Sequence, residues 1–249
     1  MNANKKEIPD VMKDHEKVQE NEYGQFIGVP VSHPLPTHFL ADTLYGKYAT
    51  LHVLSSATIS EDQLKQVWQC VNGEIDRSCW TYLPYSGFEN AAELQTALEN
   101  NFKFKNSIHY LVEANHAIVG WVGLLNQRSA DHVIEIGNVY FSHQLKQSTA
   151  STEVIYLLLK ACFEQGFRRV EWKCDDLNLP SKRAALRFGF HYEGTFRQDR
   201  ITKGRNRNTA WFSILDQEWP ELEKAYRAWL RVDNFDQNGQ QKMRLRDVL

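Results

Sequence analysis

The sequence predicts a mixed α/β domain of three layers, in which an antiparallel N-terminal meander passes into a parallel strand pair through a crossover helix. Three observations carry this. From Ile108 to Ser142 three apolar runs follow one another across short turns at Ala114-Asn115-His116 and Asp131-His132, as in an antiparallel meander. From Val154 to Phe163 the apolar residues run almost all the way round, which predicts a helix buried on more than one side. Val170, Trp172 and Cys174 then alternate with Glu171 and Lys173, the period of a strand, and Asn178 to Phe188 gives another helix. A strand-helix-strand-helix order implies a crossover and at least one parallel pair.

In chain order, residues 1–22 are charged, lack apolar periodicity and are expected to be a flexible tail. Residues 23–48 mix Pro, Gly and aromatic residues and read as an irregular lead-in packed on the domain, since Phe39 and Leu44 need burial. The domain proper is expected over 49–230. Tyr48–Leu54 is its first strand, and Ser60 with Gln63 makes a capping box for a helix through Val71. An aromatic loop, Tyr82-Leu83-Pro84-Tyr85, precedes a helix over Asn90–Phe102. Ser148-Thr149-Ala150-Ser151-Thr152-Glu153 places hydroxyl residues at a helix start with an acid in the first turn, and Gly166 ends that helix. Ser181 or Asn178 caps the next helix, and Gly189 stands at its end. Tyr192–Arg200 and Thr209–Leu215 alternate as strands, with Lys203–Arg207 as an exposed hairpin loop. Pro220–Leu230 is a last helix, and residues 231–249 are a polar tail that Phe235 and Leu245 dock.

The 249 residues suffice for a sizeable core, and 42% apolar with 24% charged residues is an ordinary globular composition. A formal charge of −2, from 29 basic and 31 acidic side chains, argues against general binding to nucleic acid or a membrane surface. Cys70, Cys79, Cys162 and Cys174 form no CxxC pair and read as free thiols in a reducing compartment. The first residues are too polar for a signal peptide and no run approaches a membrane span, so a cytoplasmic location is expected. The nine His show no metal-ligand spacing, and no metal is expected.

Asn178-x-x-Ser181-x-x-Ala184-Ala185-x-x-x-x-Gly189-Phe190-x-x-Glu193-Gly194-x-x-Arg197 resembles the C-terminal signature of the GNAT superfamily of acyl-CoA-dependent N-acyltransferases, and is similar in particular to the RimJ/RimL-type branch. Gly204 to Leu215 and Glu218-Trp219-Pro220 fit the same branch, and the likeness covers roughly Gly46 to Trp229. It implies a GNAT-like three-layer mixed sheet, acetyl-CoA as cosubstrate and the parallel crossover around its site. It also implies that the pyrophosphate rests on backbone amides at a helix start, here with Gln147, Ser148, Thr149, Ser151 and Thr152. The family pattern there is Gln or Arg, two residues, Gly, one residue, then Gly or Ala. Gln144 matches it, but Gln147 and Thr149 occupy both glycine positions.

The same resemblance places a strand bulge at Gly137-Asn138, so that a backbone amide near Val139 or Tyr140 reaches the thioester carbonyl, and it puts Val139 and Phe141 among the cofactor-binding residues. It makes Asn178 a partner of the pantetheine arm and Ser181 a general acid for the departing thiolate. Glu135 lies in an otherwise apolar strand, where a carboxylate tends to have a raised pKa suited to a general base; pairing with an Arg or solvation is the alternative. Trp80, Tyr82, Tyr85 and Phe88 are expected to line the acceptor pocket. Arg197, Arg200, Lys203, Arg205 and Arg207 read as a solvated hairpin, with contact to an acidic substrate or to nucleic acid as alternatives. The expected activity is transfer of an acetyl group to a primary amine of a protein N-terminus, an amino acid derivative or a small molecule. The alternative is an inactive module binding acyl-CoA or a protein partner. A homodimer is compatible with either.

Overall fold

The structure, a computed structural model, describes residues 18–31, 37–54, 59–237 and 239–247. Its contacts divide the chain into two units, 1–35 and 36–249. In the first, β1 (Val18–Glu20) and β2 (Phe26–Gly28) pair antiparallel, and Asn21 Oδ1 accepts the Tyr23 and Gln25 amides to shape the turn. The tail expected over 1–22 lies outside the described residues up to 17, and its end is strand. Three-residue strands are too short to announce themselves by alternation.

Among the described residues the second unit is an eight-stranded mixed sheet ordered β3-β4-β5-β6-β7-β8-β10-β9 with five α-helices. β3 (Leu44–Tyr45), β4 (Thr50–Leu54), β5 (Ile108–Ala114), β6 (Ala117–Arg128) and β7 (Val133–Phe141) form the antiparallel meander. β7 and β8 (Arg169–Asp175) are parallel, joined through α3 (Thr149–Glu164). β9 (His191–Thr202) and β10 (Arg205–Leu215) close the far edge. The parallel register is short, Val133↔Arg169 to Glu135↔Glu171, after which the two strands are no longer paired.

Period-two alternation sends neighbouring side chains into two cores. Tyr110 and Val112 of β5 join the cluster with α3 and α5 (Trp219–Trp229), whereas Leu111 joins the one with α1 (Glu61–Asn72) and α2 (Ala91–Glu99). α3 is buried almost throughout, as its sequence predicts. Ser60 and Gln63 complete the capping box of α1.

Three boundaries differ from expectation. α2 ends at Glu99, because Asn101, Phe102 and Lys103 adopt positive φ and swing Phe102 onto Trp121. The hairpin loop is only Lys203-Gly204, both left-handed, so Arg205, Asn206 and Arg207 belong to β10. Glu153 lies beyond the first turn of α3, buried, where its carboxylate accepts the amides of Lys47, Tyr48 and Ala49. The C-terminal segment docks, with Leu245 buried and Phe235 edge-on against Trp229.

Candidate active site

Where β7 and β8 part, a cleft of about 2090 Å³ opens. Val139, Phe141, Gln147, Ser148, Thr149, Ser151, Asn178 and Ser181 line it, together with Tyr82, Glu135, Lys173 and Arg207. The fork thus collects residues from the ends of β7, β8 and β10 and from the starts of α3 and α4 (Leu179–Arg187).

At the start of α3, Ser148 is the N-cap and accepts the Ser151 amide at 3.1 Å. The amides of Thr149 and Ala150, at the first two helical positions, have no carbonyl a turn earlier to reach, and with the helix dipole they suit an anion. Gln147 has φ +59, the left-handed region that favours glycine. Of the two positions where the resemblance places glycine, Gln147 is thus left-handed and Thr149 is helical. Thr152 does not join this wall: it is buried and accepts Arg187 Nη2 at 2.9 Å.

The choice left open between Asn178 and Ser181 resolves to Asn178, whose Oδ1 accepts the Ser181 amide at 3.1 Å. The Ser181 hydroxyl is released from capping. It accepts the Trp172 indole N–H at 3.0 Å and directs its own proton toward the Cys174 sulfur beside it.

Glu135 is buried, but its surroundings are not the apolar ones expected. Lys173 Nζ lies 2.6 Å from Oε2, and Asn126 Nδ2 donates to the same oxygen at 2.6 Å. Its partner is thus a lysine from β8, not an arginine. Oε1 has no partner among the described residues. Glu171, beside it in the parallel register, has both oxygens taken by Arg128, with Arg169 adding a third bond. Glu135 is thus the acid of this pair with an oxygen left to the cleft.

Opposite Val122, residues Asn138 and Val139 occupy a bulge, since Trp121 pairs with Tyr140 and Gly123 with Gly137. Asn138 has φ +47 and is pinned from both ends of its amide: Oδ1 accepts the Tyr85 hydroxyl at 2.8 Å, and Nδ2 donates to His109 Nε2 at 3.0 Å. The sequence gives no hint of this relay, because its members come from three distant segments. Burial pushes the His109 imidazole down to about 4, so it stays neutral and can accept. Its folded pKa lies below the unfolded value near 6.5, so this contribution is complete above pH ~6.5 and is lost as pH falls toward ~4, about 3 kcal/mol in all. Urea unfolding between pH 7 and 4.5 should therefore show a shallower loss in His109→Gln than in the parent; parallel slopes refute the assignment.

The aromatic loop divides. Tyr82 lines the cleft with Leu83 and Pro84. Trp80, Tyr85 and Phe88 turn inward and pack with Trp121, which places them in the core behind the wall instead of on the acceptor pocket. Lys203 is exposed, as a solvated hairpin implies, but its Nζ donates to Trp80 O at 2.7 Å and ties the β9–β10 turn to this loop. Among the described residues no group of three or more His, Cys, Asp or Glu is placed to hold a metal, and no helix is long and apolar enough to cross a membrane.

The family described as "Acetyltransferase (GNAT) family" matches residues 74–190. A GCN5-related N-acetyltransferase from Brucella melitensis is 35% identical with a TM-score of 0.81, covering 86% of this chain and 97% of that one. A probable GNAT-family acetyltransferase from Chromobacterium violaceum is also 35% identical, with a TM-score of 0.68 over 78% of this chain and 99% of that one. The microcin C7 self-immunity acetyltransferase MccE, solved with acetyl-CoA and AMP, is 18% identical with a TM-score of 0.58 over 68% and 93%, a likeness of fold alone. No curated protein matches. On the two relatives at 35% identity, aligned over nearly their whole length, the chain belongs to the GNAT acetyltransferase family.

Proposed function

We propose that the protein moves an acetyl group from acetyl-CoA to a primary amine by direct transfer, as a RimJ/RimL-type member of the family, in the cytoplasm. The observation that carries this is the convergence on one cleft of an acid with a free oxygen, a strand bulge and a hydroxyl that is not used as a helix cap. Acyl transfer needs a base for the amine, a donor for the developing oxyanion and an acid for the leaving thiolate. Glu135 takes the proton from the amine directly or through a water. The amine nitrogen bonds to the thioester carbonyl carbon while a bulge amide near Val139 holds the oxygen. The C–S bond then breaks, and Ser181 donates to the sulfur. Asn178, on the same wall, holds the pantetheine arm.

Gln147 and Thr149 in place of glycines favoured an inactive module; the left-handed Gln147 and the capped start of α3 support retained anion binding instead. Four free thiols agree with a reducing compartment. Isothermal titration with acetyl-CoA is the test. Micromolar binding, about −8 kcal/mol, is expected; absence of binding overturns the proposal.

A further inference from the structure

Charges in the cleft are distributed unevenly. On the fork's sheet face Glu135 is neutralised by Lys173, and Arg200 by Asp199 at 2.8 Å. Arg207 has no such partner. Its Nε donates to Thr209 Oγ1 at 3.2 Å, and neither terminal nitrogen has a partner among the described residues. Thr209 in turn donates to Asp199 Oδ2 at 2.7 Å, so the guanidinium is held in place by a chain of hydrogen bonds that leaves its forked end unused. Burial, with Arg200 adding to it, disfavours the charge, and Asp175 and Asp199 offset this only in part, through space and without an ion-pair contact. Lys203 adds a second cation whose bonds go only to carbonyl oxygens. Asp175, the nearest acid on β8, accepts the Leu177 amide.

A half-buried guanidinium with free paired donors matches the planar oxygens of a carboxylate or phosphate. The register says how far it stands from the chemistry. Lys173, which grips Glu135, pairs with Trp211, and Arg207 lies four residues on along β10, about 13 Å by strand rise. Its side chain turns part of the way back, to Thr209. That distance is the length of one small molecule.

We propose that the acceptor is a small amine that itself carries an anionic group, a carboxylate or a phosphate, seated on Arg207 with Arg200 and Lys203 around it. This rests on the acetyl-transfer reading above and names its substrate class. Lys146 and Arg183 also line the cleft, from the segments at the starts of α3 and α4.

The test measures free-thiol release by the full chain with acetyl-CoA and matched amines: short amino carboxylates against their amides, and aminoalkyl phosphates against the parent amino alcohols. Within at least one set the charged member should be preferred by about tenfold or more in kcat/KM, the set identifying which anion is taken. In Arg207→Gln that ratio should collapse, mainly through the KM of the charged amine. In Arg205→Gln, an exposed hairpin arginine outside the cleft, it should persist; melting curves confirm that both variants fold. Equal use of neutral and charged amines overturns the proposal while leaving acetyl transfer standing. So does inertness of every charged amine in protein shown by titration to bind acetyl-CoA, and so does an Arg207→Gln variant that weakens acetyl-CoA binding instead. Absence of acetyl-CoA binding in the parent protein overturns both readings together.

Discussion

Glu153→Ala is expected to lower the unfolding free energy by about 3–5 kcal/mol, the range for stripping a buried charge-assisted network of one partner. The carboxylate is 4% exposed and accepts the main-chain amides of Lys47, Tyr48 and Ala49, those to Lys47 and Ala49 at 2.9 and 2.8 Å. These amides belong to the turn that enters β4, closed also by the Gly46 amide donating to Ala49 O at 2.9 Å. Removing the acceptor leaves the donors facing a void, and the turn can open only by pulling β3 and β4 from α3. Glu153→Gln should be nearly as damaging. Oε1 accepts from Lys47 and Oε2 from Tyr48 and Ala49, so either placement of an NH₂ group sets donor against donor. Urea denaturation of the three proteins at neutral pH decides it. A loss below about 1 kcal/mol for either variant would show that the turn holds itself.

Glu135→Gln should reduce kcat by about 10²–10⁴-fold, the usual contribution of a positioned base, with acetyl-CoA affinity unchanged. The change also leaves Lys173, 12% exposed, beside a neutral amide, so some stability is lost along with activity. A second substitution separates the two effects. Glu135→Gln with Lys173→Met should regain stability, because no buried cation is left unpaired, while its turnover stays low. If turnover returns with stability, Glu135 is a structural counter-ion and another group is the base.

The elements were legible in the sequence because each is long enough to show a period: the meander, the nearly all-apolar α3 and the alternating β8 lie where the pattern puts them. What was hidden depends on partners far along the chain. Glu153 looks like an acid favouring a helix dipole, and only the return of residues 47–49 to its side makes it a clamp. Alternation says that Glu135 and Lys173 each point out of a strand; that they meet depends on the parallel register of β7 with β8, which no local pattern encodes. The aromatic loop could be recognised but not oriented, since the packing of Trp121 decides which rings turn in. Asn178 and Ser181 were both plausible caps, and the backbone at the start of α4 selects the first.

β7 and β8 stop pairing after Glu135 and Glu171, and past that point their facing peptide edges border an open wedge. A peptide edge is the same whatever side chain it carries, so a molecule gripped there is gripped through groups that substitution does not remove. Drift along the walls of the wedge is therefore cheap. At its vertex it is not, since a slip of one residue would turn Glu135 to the opposite face of the sheet. Gln147, at the start of α3 beside the wedge, shows the same economy: its left-handed step is a property of the backbone, and the amides that follow it are there whatever side chain it carries.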